Sequence, residues 1–412
     1  MGRHMTDFID EAIAGNGLVA AFQQVVALPS EVVVGYEALA RWPALNNPSP
    51  IDVFDRAAKT GRLDRLDELC IRAATEGAIQ SNFTPGTLLL VNCEPATPTV
   101  DPTVDPDVMR AAEAFRLTFE ITERGLLTNP RALLRKVAAL RSLGFAIALD
   151  DIGSHPDSLV LLDVVAPDIL KLDMGLVQRQ PDRLHARTVA AIIAHHERTG
   201  AVICAEGIET AEHLEQALAY GATLGQGNWF GAPGQLTSRS VPFAWPARRT
   251  PCPPVAHHST MELAIAGLPT RTVRRQTLTA LSHHIGGIAA TAQNAPIVLA
   301  TLHPDERLDL HTEQMYSAIA ERSPLVAVFG QNQPTNLGPR VRGVTLDRDD
   351  PLLRESTILV LGPETACGLI ARERPSGAVH SADAEKRRFD MVITYDHQRV
   401  TAAARPLLDR LV

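Results

Sequence analysis

The sequence predicts an α/β protein: a closed barrel built from repeated βα units, followed by a smaller α/β domain. Three observations carry this. Short apolar runs of strand length alternate with segments of helical periodicity along the first half of the chain. Six of those runs close on an oxygen ligand or a cation: Glu37, Asn92, Glu120, Asp150 with Asp151, Lys171 and Glu206. A proline-rich stretch then interrupts the pattern, and a second alternation starts beyond it. Repeated βα units imply a parallel sheet covered by helices. About eight strands within roughly two hundred residues fit a closed barrel better than an open sheet.

Residues Met1–His4 read as an expression remnant and are set aside. Residues 6–17 form a short amphipathic helix ending near Gly15 and Gly17. Leu18–Leu28 and Glu31–Leu39 are β runs on either side of Pro29-Ser30, the signature of a hairpin. From 49 to 81 the apolar spacing turns helical, with a break at Gly61. The alternation then runs strand 87–92, helix 105–114, strand 116–121, helix 130–143 with Asn129 as N-cap, strand 145–150 and helix 157–165. It continues with strand 168–173, helix 182–199, strand 201–206, helix 210–219 capped by Thr210, and a last short run 222–225. Residues 236–270 are expected to be an extended, poorly packed linker. Beyond it come a helix over 271–293, strands near 297–300, 325–329, 358–361 and 391–394, and a closing helix over 398–411. This gives a barrel over 6–235, a linker over 236–270 and a second domain over 271–412.

Composition narrows the class. Hydrophobic residues at 45% and charged residues at 21% describe a soluble globular chain without a run long enough to span a membrane. A net charge of −8 excludes a general nucleic-acid binder, whose surface must be basic, but not a small nucleotide held through metal ions. Five widely spaced cysteines without a C-x-x-C pair read as reduced thiols in a cytoplasmic protein.

The chemistry sits at the strand ends. Barrel enzymes carry their chemistry at the C-terminal rim, where all six polar endings fall. Glu37, Asn92, Glu120, Asp150 and Asp151 form an all-oxygen set, and hard oxygen ligands select Mg²⁺ or Mn²⁺ over zinc. Four carboxylates exceed what one Mg²⁺ usually takes from protein, so two ions sharing Asp150 is the economical reading. Two such ions suit in-line displacement at phosphorus. Lys171 beside them would orient the attacking water or neutralise developing charge, and Glu206 would accept a proton or hold Lys171 in place. Any one of these acids alone reads as a helix cap or a partner of Arg41; the set does not.

The motifs carrying this site resemble the EAL domain family. They are Tyr36-Glu37-Ala38-Leu39-Ala40-Arg41-Trp42, Val91-Asn92, Phe119-Glu120-Ile121-Thr122-Glu123, Asp150-Asp151, Lys171-Leu172-Asp173, Ala205-Glu206-Gly207-Ile208-Glu209 and Gln226-Gly227, in family order over about residues 6–235. The resemblance implies a modified TIM-type (β/α)8 barrel that hydrolyses cyclic di-GMP to linear pGpG with Mg²⁺ or Mn²⁺. It implies Glu37, Asn92, Glu120 and Asp150 as metal ligands and Asp151 on a second metal. Lys171 and Glu206 would handle the attacking water, with Glu37 at the same catalytic centre. Gln226 would lie in the inner site, and Gln23 and Arg41 would hold guanine and phosphate. Glu123 would anchor the loop after the paired aspartates, a loop that in the family couples metal binding to dimerisation, and a homodimer is the expected assembly.

That loop departs from the family pattern F-G-T-G-Y-S-S-L: here it reads Ile152-Gly153-Ser154-His155-Pro156-Asp157-Ser158-Leu159. Gln24 also stands where the family has a proline. Two other readings therefore stand beside the enzyme, a cyclic di-GMP receptor without turnover and a protein-interaction module. The C-terminal part resembles the DICT sensory domain through Leu278-Thr279-Ala280-Leu281-Ser282-His283-His284, Leu359-Val360-Leu361-Gly362-Pro363 and the run Arg388–Asp396. That resemblance implies a regulatory role for a small-molecule or protein signal.

Overall fold

The structure, a computed structural model, describes residues 5–81, 83–95, 97, 106–122, 129–154, 156–234, 239–246, 259–265, 268–303, 308–374 and 387–411. In chain order its elements are α1 (Met5–Ile13), β1 (Val19–Ala27), β2 (Val32–Arg41), α2 (Pro50–Lys59), α3 (Leu63–Gln80), β3 (Leu88–Cys93), α4 (Pro106–Ala114), β4 (Arg116–Thr122), α5 (Pro130–Ser142) and β5 (Ala146–Ile152). There follow α6 (Leu162–Val165), β6 (Ile169–Leu172), α7 (Met174–Gln178), α8 (Arg183–Thr199), β7 (Val202–Ala205), α9 (Ala211–Ala219), β8 (Leu224–Gly225) and α10 (Thr260–Ile265). The last elements are β9 (Arg271–Arg274), α11 (Arg275–Thr291), β10 (Ile297–Thr301), α12 (Leu310–Ala320), β11 (Val326–Gly330), β12 (Val341–Thr345), β13 (Glu355–Leu361), β14 (Ala366–Glu373), β15 (Arg388–Thr394) and α13 (His397–Leu408).

The chain forms two compact units. The first takes Met1–Leu126, Arg135–Pro156 and Pro167–Thr250, and the second Leu127–Leu134, Asp157–Ala166 and Pro251–Val412. In the first, β1 to β8 close a barrel in sequence order. The hairpin expected around Pro29-Ser30 forms: β1 and β2 pair antiparallel, with Gln23 opposite Glu37. From β2 to β8 every neighbouring pair is parallel, and β8 closes antiparallel on β1. This is the modification of the (β/α)8 plan. Seven of the strands supply one apolar cluster, through Val25, Val34, Leu88, Leu90, Ala148, Ile169, Val202, Cys204 and Leu224. Burying each of the Val, Leu and Ile side chains contributes about 1.5–3 kcal/mol, which favours this alignment of the strands. The predicted caps are present: Asn129 Oδ1 accepts from Ala132 N at 2.9 Å and Thr210 Oγ1 from His213 N at 3.2 Å.

The stretch that reads as a solvated connector packs where it leaves the barrel. Phe243 is buried in the barrel cluster with Trp245 against it, at 4.9 Å between ring centroids. Val241 N donates to Val33 O and Phe243 N to Gly86 O, both at 2.9 Å, while the Ser240 and Thr87 hydroxyls meet at 2.7 Å. Prolines mark the segment as irregular, but its two aromatic residues hold it to the protein.

The second unit holds a seven-stranded sheet in the order β12-β11-β10-β13-β14-β15-β9, covered by α11 and α12. The four runs expected as strands are β10, β11, β13 and β15. The helix expected over 271–293 begins only at Arg275, because 271–274 pair antiparallel with β15 as an edge strand. Tertiary pairing there overrides the helical reading. Strands β12 and β14 and helices α7 and α10 carry no signal that the periodicity revealed; β14 opens on the small residues Ala366-Cys367-Gly368, and its pairing with β13 and β15 makes it a strand.

Cys70, Cys93, Cys204 and Cys367 are free thiols. Burial pushes Cys367 up to about 11 and the other three higher still. None carries appreciable thiolate at pH 8, so iodoacetamide is expected to leave all four unmodified in the native protein and to label them after unfolding. Mass spectrometry reads this; native labelling of any of the four at the unfolded rate contradicts it.

Candidate active site

Barrel closure brings the scattered polar strand endings to one rim. Lys171, on β6 and wholly buried, lies at the centre. Its Nζ is 2.7 Å from Glu206 Oε1, 2.8 Å from Glu120 Oε1, 3.0 Å from Asp150 Oδ1 and 3.4 Å from Glu37 Oε2. Glu37 accepts from Asn92 Nδ2 at 3.0 Å and from Gln226 Nε2 at 2.6 Å. Gln226 Nε2 also reaches Gln23 Oε1 at 2.9 Å, and Gln23 Nε2 donates to Gly231 O at 3.2 Å. Gln24, the departure from the family proline, donates to Phe230 O, so both glutamines hold the segment after β8.

The paired aspartates need a local device, because neighbouring strand residues face opposite sides. The β5–β6 register shifts between Leu149 and Ile152, and Asp151 adopts a left-handed backbone at φ 56°. That conformation is costly for a residue other than glycine, and it turns the second carboxylate toward the first. Ligand oxygens of Asp150, Asp151 and Glu206 lie within 4.8 Å of one another. Glu37, Arg41, Asn92, Asp150 and Asp151 line one cavity of about 520 Å³, a volume suited to a small-molecule ligand. Glu120 lies two residues inside β4 instead of at its end, fully buried. Glu123 and His155 fall outside the described residues.

The electrostatics follow from burial and crowding. Burial would lower Lys171, but the charges of Asp150, Glu120, Glu206 and Glu37 outweigh it and hold the ammonium well above its ordinary range. Burial and the neighbouring Glu37 push Glu120 well up, and burial with Asp150 does the same to Glu206. Burial would also raise Glu37, yet the Lys171 charge and the Gln226 and Asn92 donors hold it below its usual value. Both oxygens of Glu120 and Oδ1 of Asp150 are buried with no aligned hydrogen-bond donor. Oxygens of this kind fit a hard divalent cation.

Sequence reasoning missed two features of this geometry. Glu206 places an oxygen within 4.8 Å of those of both aspartates as well as touching Lys171, and Lys171 bridges four carboxylates instead of standing beside them. The ending of strand 201–206 on an acid was the available signal for the first. The second depends on barrel closure and had none.

Gly227 closes the rim. A Cβ there would lie 2.1 Å from Ile208 O and 2.4 Å from Ile208 N, at φ 154°. The backbone at Ile208 cannot yield, since its N donates to Gln226 O and its O accepts from Trp229 N, both at 3.0 Å. Gly227→Ala is therefore expected to destabilise the barrel by about 3 kcal/mol or more and to displace Gln226. A thermal midpoint unchanged from the wild type would contradict this.

An eight-stranded barrel with an acidic rim around a buried lysine defines the class. Residues 7–233 match the EAL domain family, and the chain belongs to that family. Residues 258–374 match the DICT family, described as a sensory domain in diguanylate cyclases and two-component systems. The chain is similar to PdeB of Escherichia coli, a probable cyclic di-GMP phosphodiesterase, at 29% identity over 231 residues, 53% of this chain and 43% of that protein. It is similar to NbdA of Pseudomonas aeruginosa, a cyclic di-GMP phosphodiesterase, at 29% identity over 251 residues, 58% of this chain and 31% of that protein. The chain thus spans less than half the length of either relative. Among solved structures it is similar to the PaMucR phosphodiesterase in complex with c-di-GMP, at 26% identity and a TM-score of 0.47, over 53% of this chain and 97% of that one. Among the described residues no helix is long and apolar enough to cross a membrane.

Proposed function

We propose that this protein is a metal-dependent cyclic di-GMP phosphodiesterase that opens the cyclic dinucleotide to linear pGpG. The observation that carries the reading is the rim itself: buried Lys171 meets four carboxylates, of which Glu37 and Asp150 also line the cavity. So many crowded acids on one site make physical sense around cations. Glu37, Asn92, Glu120 and Asp150 would hold one Mg²⁺ or Mn²⁺, and Asp151 with Glu206 and the shared Asp150 a second. When bound, such ions supply Lewis acidity toward a phosphoryl oxygen.

The chain's own residues do the rest. Arg41 lines the cavity and offers a fixed cation to a phosphate, and Gln23 would meet the base with Gln226 bonded to it from the buried side. Lys171, kept as an ammonium, orients water and offsets charge as its oxygen bonds to phosphorus and the ribose oxygen leaves. Glu206, a stronger base than an ordinary carboxylate once ionised, takes the proton that the water gives up, and the departing ribose oxygen takes a proton from solvent to become a hydroxyl. The same reading makes 6–235 the catalytic barrel and 271–412 a regulatory domain, in a cytoplasmic homodimer that answers to a small-molecule or protein signal.

Incubating the purified chain with cyclic di-GMP and Mn²⁺ and separating the nucleotides tests this. Linear product is expected. Binding without product would make the protein a receptor, and neither would leave an interaction module.

A further inference from the structure

A second buried charge cluster lies behind the rim and takes no part in the chemistry described above. Lys136 on α5 and Asp67 on α3 are both buried, with Lys136 Nζ 3.6 Å from Asp67 Oδ2. Between them runs the start of the loop after β3. Asp67 Oδ1 accepts from Glu94 N at 3.1 Å, and Asp67 Oδ2 accepts from the Thr97 hydroxyl. Lys136 Nζ donates to Glu94 O at 2.9 Å, to Thr97 Oγ1 at 2.8 Å and to Thr97 O at 3.4 Å. The pair therefore grips both backbone groups of Glu94 and both the hydroxyl and the carbonyl of Thr97.

Stability alone is a poor reason for such a pair, because an apolar pair of like volume usually does as well. Burial is strong enough here to raise Asp67 despite the lysine charge and its three donors. What the pair supplies is direction. Pro95 lacks an N–H, and the backbone bond from Thr97 N to Glu94 O is long at 3.4 Å, so the start of the loop leans on the pair. Asn92 stands two residues before Glu94, where its amide donates to Glu37, and Glu94 lines the same cavity as Asn92.

We propose that Asp67, Thr97 and Lys136 are positioning residues that clamp the loop after β3 and so fix Asn92 for a divalent cation. This rests on the reading of the rim as a metal site and adds a supporting layer to it. Partners that orient a metal ligand typically govern affinity or activity by 10–100-fold.

The test uses the full chain and measures Mn²⁺ affinity directly, by electron paramagnetic resonance of the free ion, beside turnover of cyclic di-GMP. Thr97→Val keeps the shape and removes the hydroxyl that both charges share. It is expected to weaken Mn²⁺ binding about tenfold or more and to speed amide exchange in the metal-free protein at 91–94, while Thr97→Ser restores Mn²⁺ affinity to within about threefold. Lys136→Met is expected to show the same loss. Thr97→Val with wild-type Mn²⁺ affinity and wild-type exchange overturns the clamp while leaving the metal site standing. A wild-type chain that binds no Mn²⁺ overturns both. Mn²⁺ binding without turnover in the wild type refutes the phosphodiesterase alone, and the clamp is then read from affinity.

Discussion

Lys171→Ala is expected to reduce cyclic di-GMP turnover by at least about a hundredfold while Mn²⁺ binding persists. Among the described residues the ammonium is the single positive group that Glu37, Glu120, Asp150 and Glu206 share, at 2.7 to 3.4 Å. Without it the metal-free rim is four acids facing one another, and removing one partner from a buried charge set typically costs about 3–5 kcal/mol. Part of that loss is relieved as the carboxylates take up protons, and Mn²⁺ supplies the missing positive charge. The variant should therefore unfold at lower temperature than the wild type without metal and recover much of the difference when Mn²⁺ is added. Steady-state kinetics, a thermal scan with and without metal, and the Mn²⁺ dissociation constant distinguish the outcomes. Turnover within threefold of the wild type would refute the role given to Lys171.

Stabilisation by Mn²⁺ should rise steeply with pH. Glu120 and Glu206 sit well above the ordinary carboxylate value of 4.5, so the folded rim keeps protons that the unfolded chain has released. Stability without metal accordingly falls as pH rises from that value through the raised ones. Glu37 runs the other way: held low by the Lys171 ammonium against the effect of burial, it loses its contribution only as pH drops below 4.5. Lys171, raised above 10.5, contributes fully throughout and loses its effect only at higher pH. Mn²⁺ binds the ionised carboxylates and competes with protons on Glu120 and Glu206, so its apparent affinity rises with pH over the range in which those groups titrate. The gain in thermal midpoint from Mn²⁺ at pH 8 is expected to exceed that at pH 6. Equal gains would show that the two glutamates are already ionised or do not meet the ion.

Much of the barrel was legible because its signals are local. Parallel strands buried on both faces read as continuous apolar runs, and Leu88–Val91 and Ile147–Leu149 announce themselves without partners. The polar residues after those runs were legible for the same reason, since Glu37, Asn92, Asp150 and Lys171 each follow a short apolar run. Strand β2 nevertheless continues to Arg41 and β5 to Ile152, so that Glu37 and Asp150 lie inside their strands. Strand β14 was not, because its Gly and Ala residues gain strand character only between β13 and β15. Phe243 and Trp245 sat in a proline-rich stretch whose composition describes a linker; that they pack on the barrel depends on where it leaves an apolar surface.

By itself the sequence determined most of the barrel's strands and helices and which oxygen-bearing residues follow their apolar runs, because periodicity and composition act within a few residues. Only the tertiary structure decided how those residues meet. Closure placed Lys171 among four carboxylates, the β5 irregularity and the left-handed Asp151 brought two neighbouring acids together with Glu206, and helix packing joined Asp67 to Lys136 across the loop behind Asn92. Such distances are set by the register of eight strands and the docking of their helices, sums over the whole chain that no short stretch of it contains.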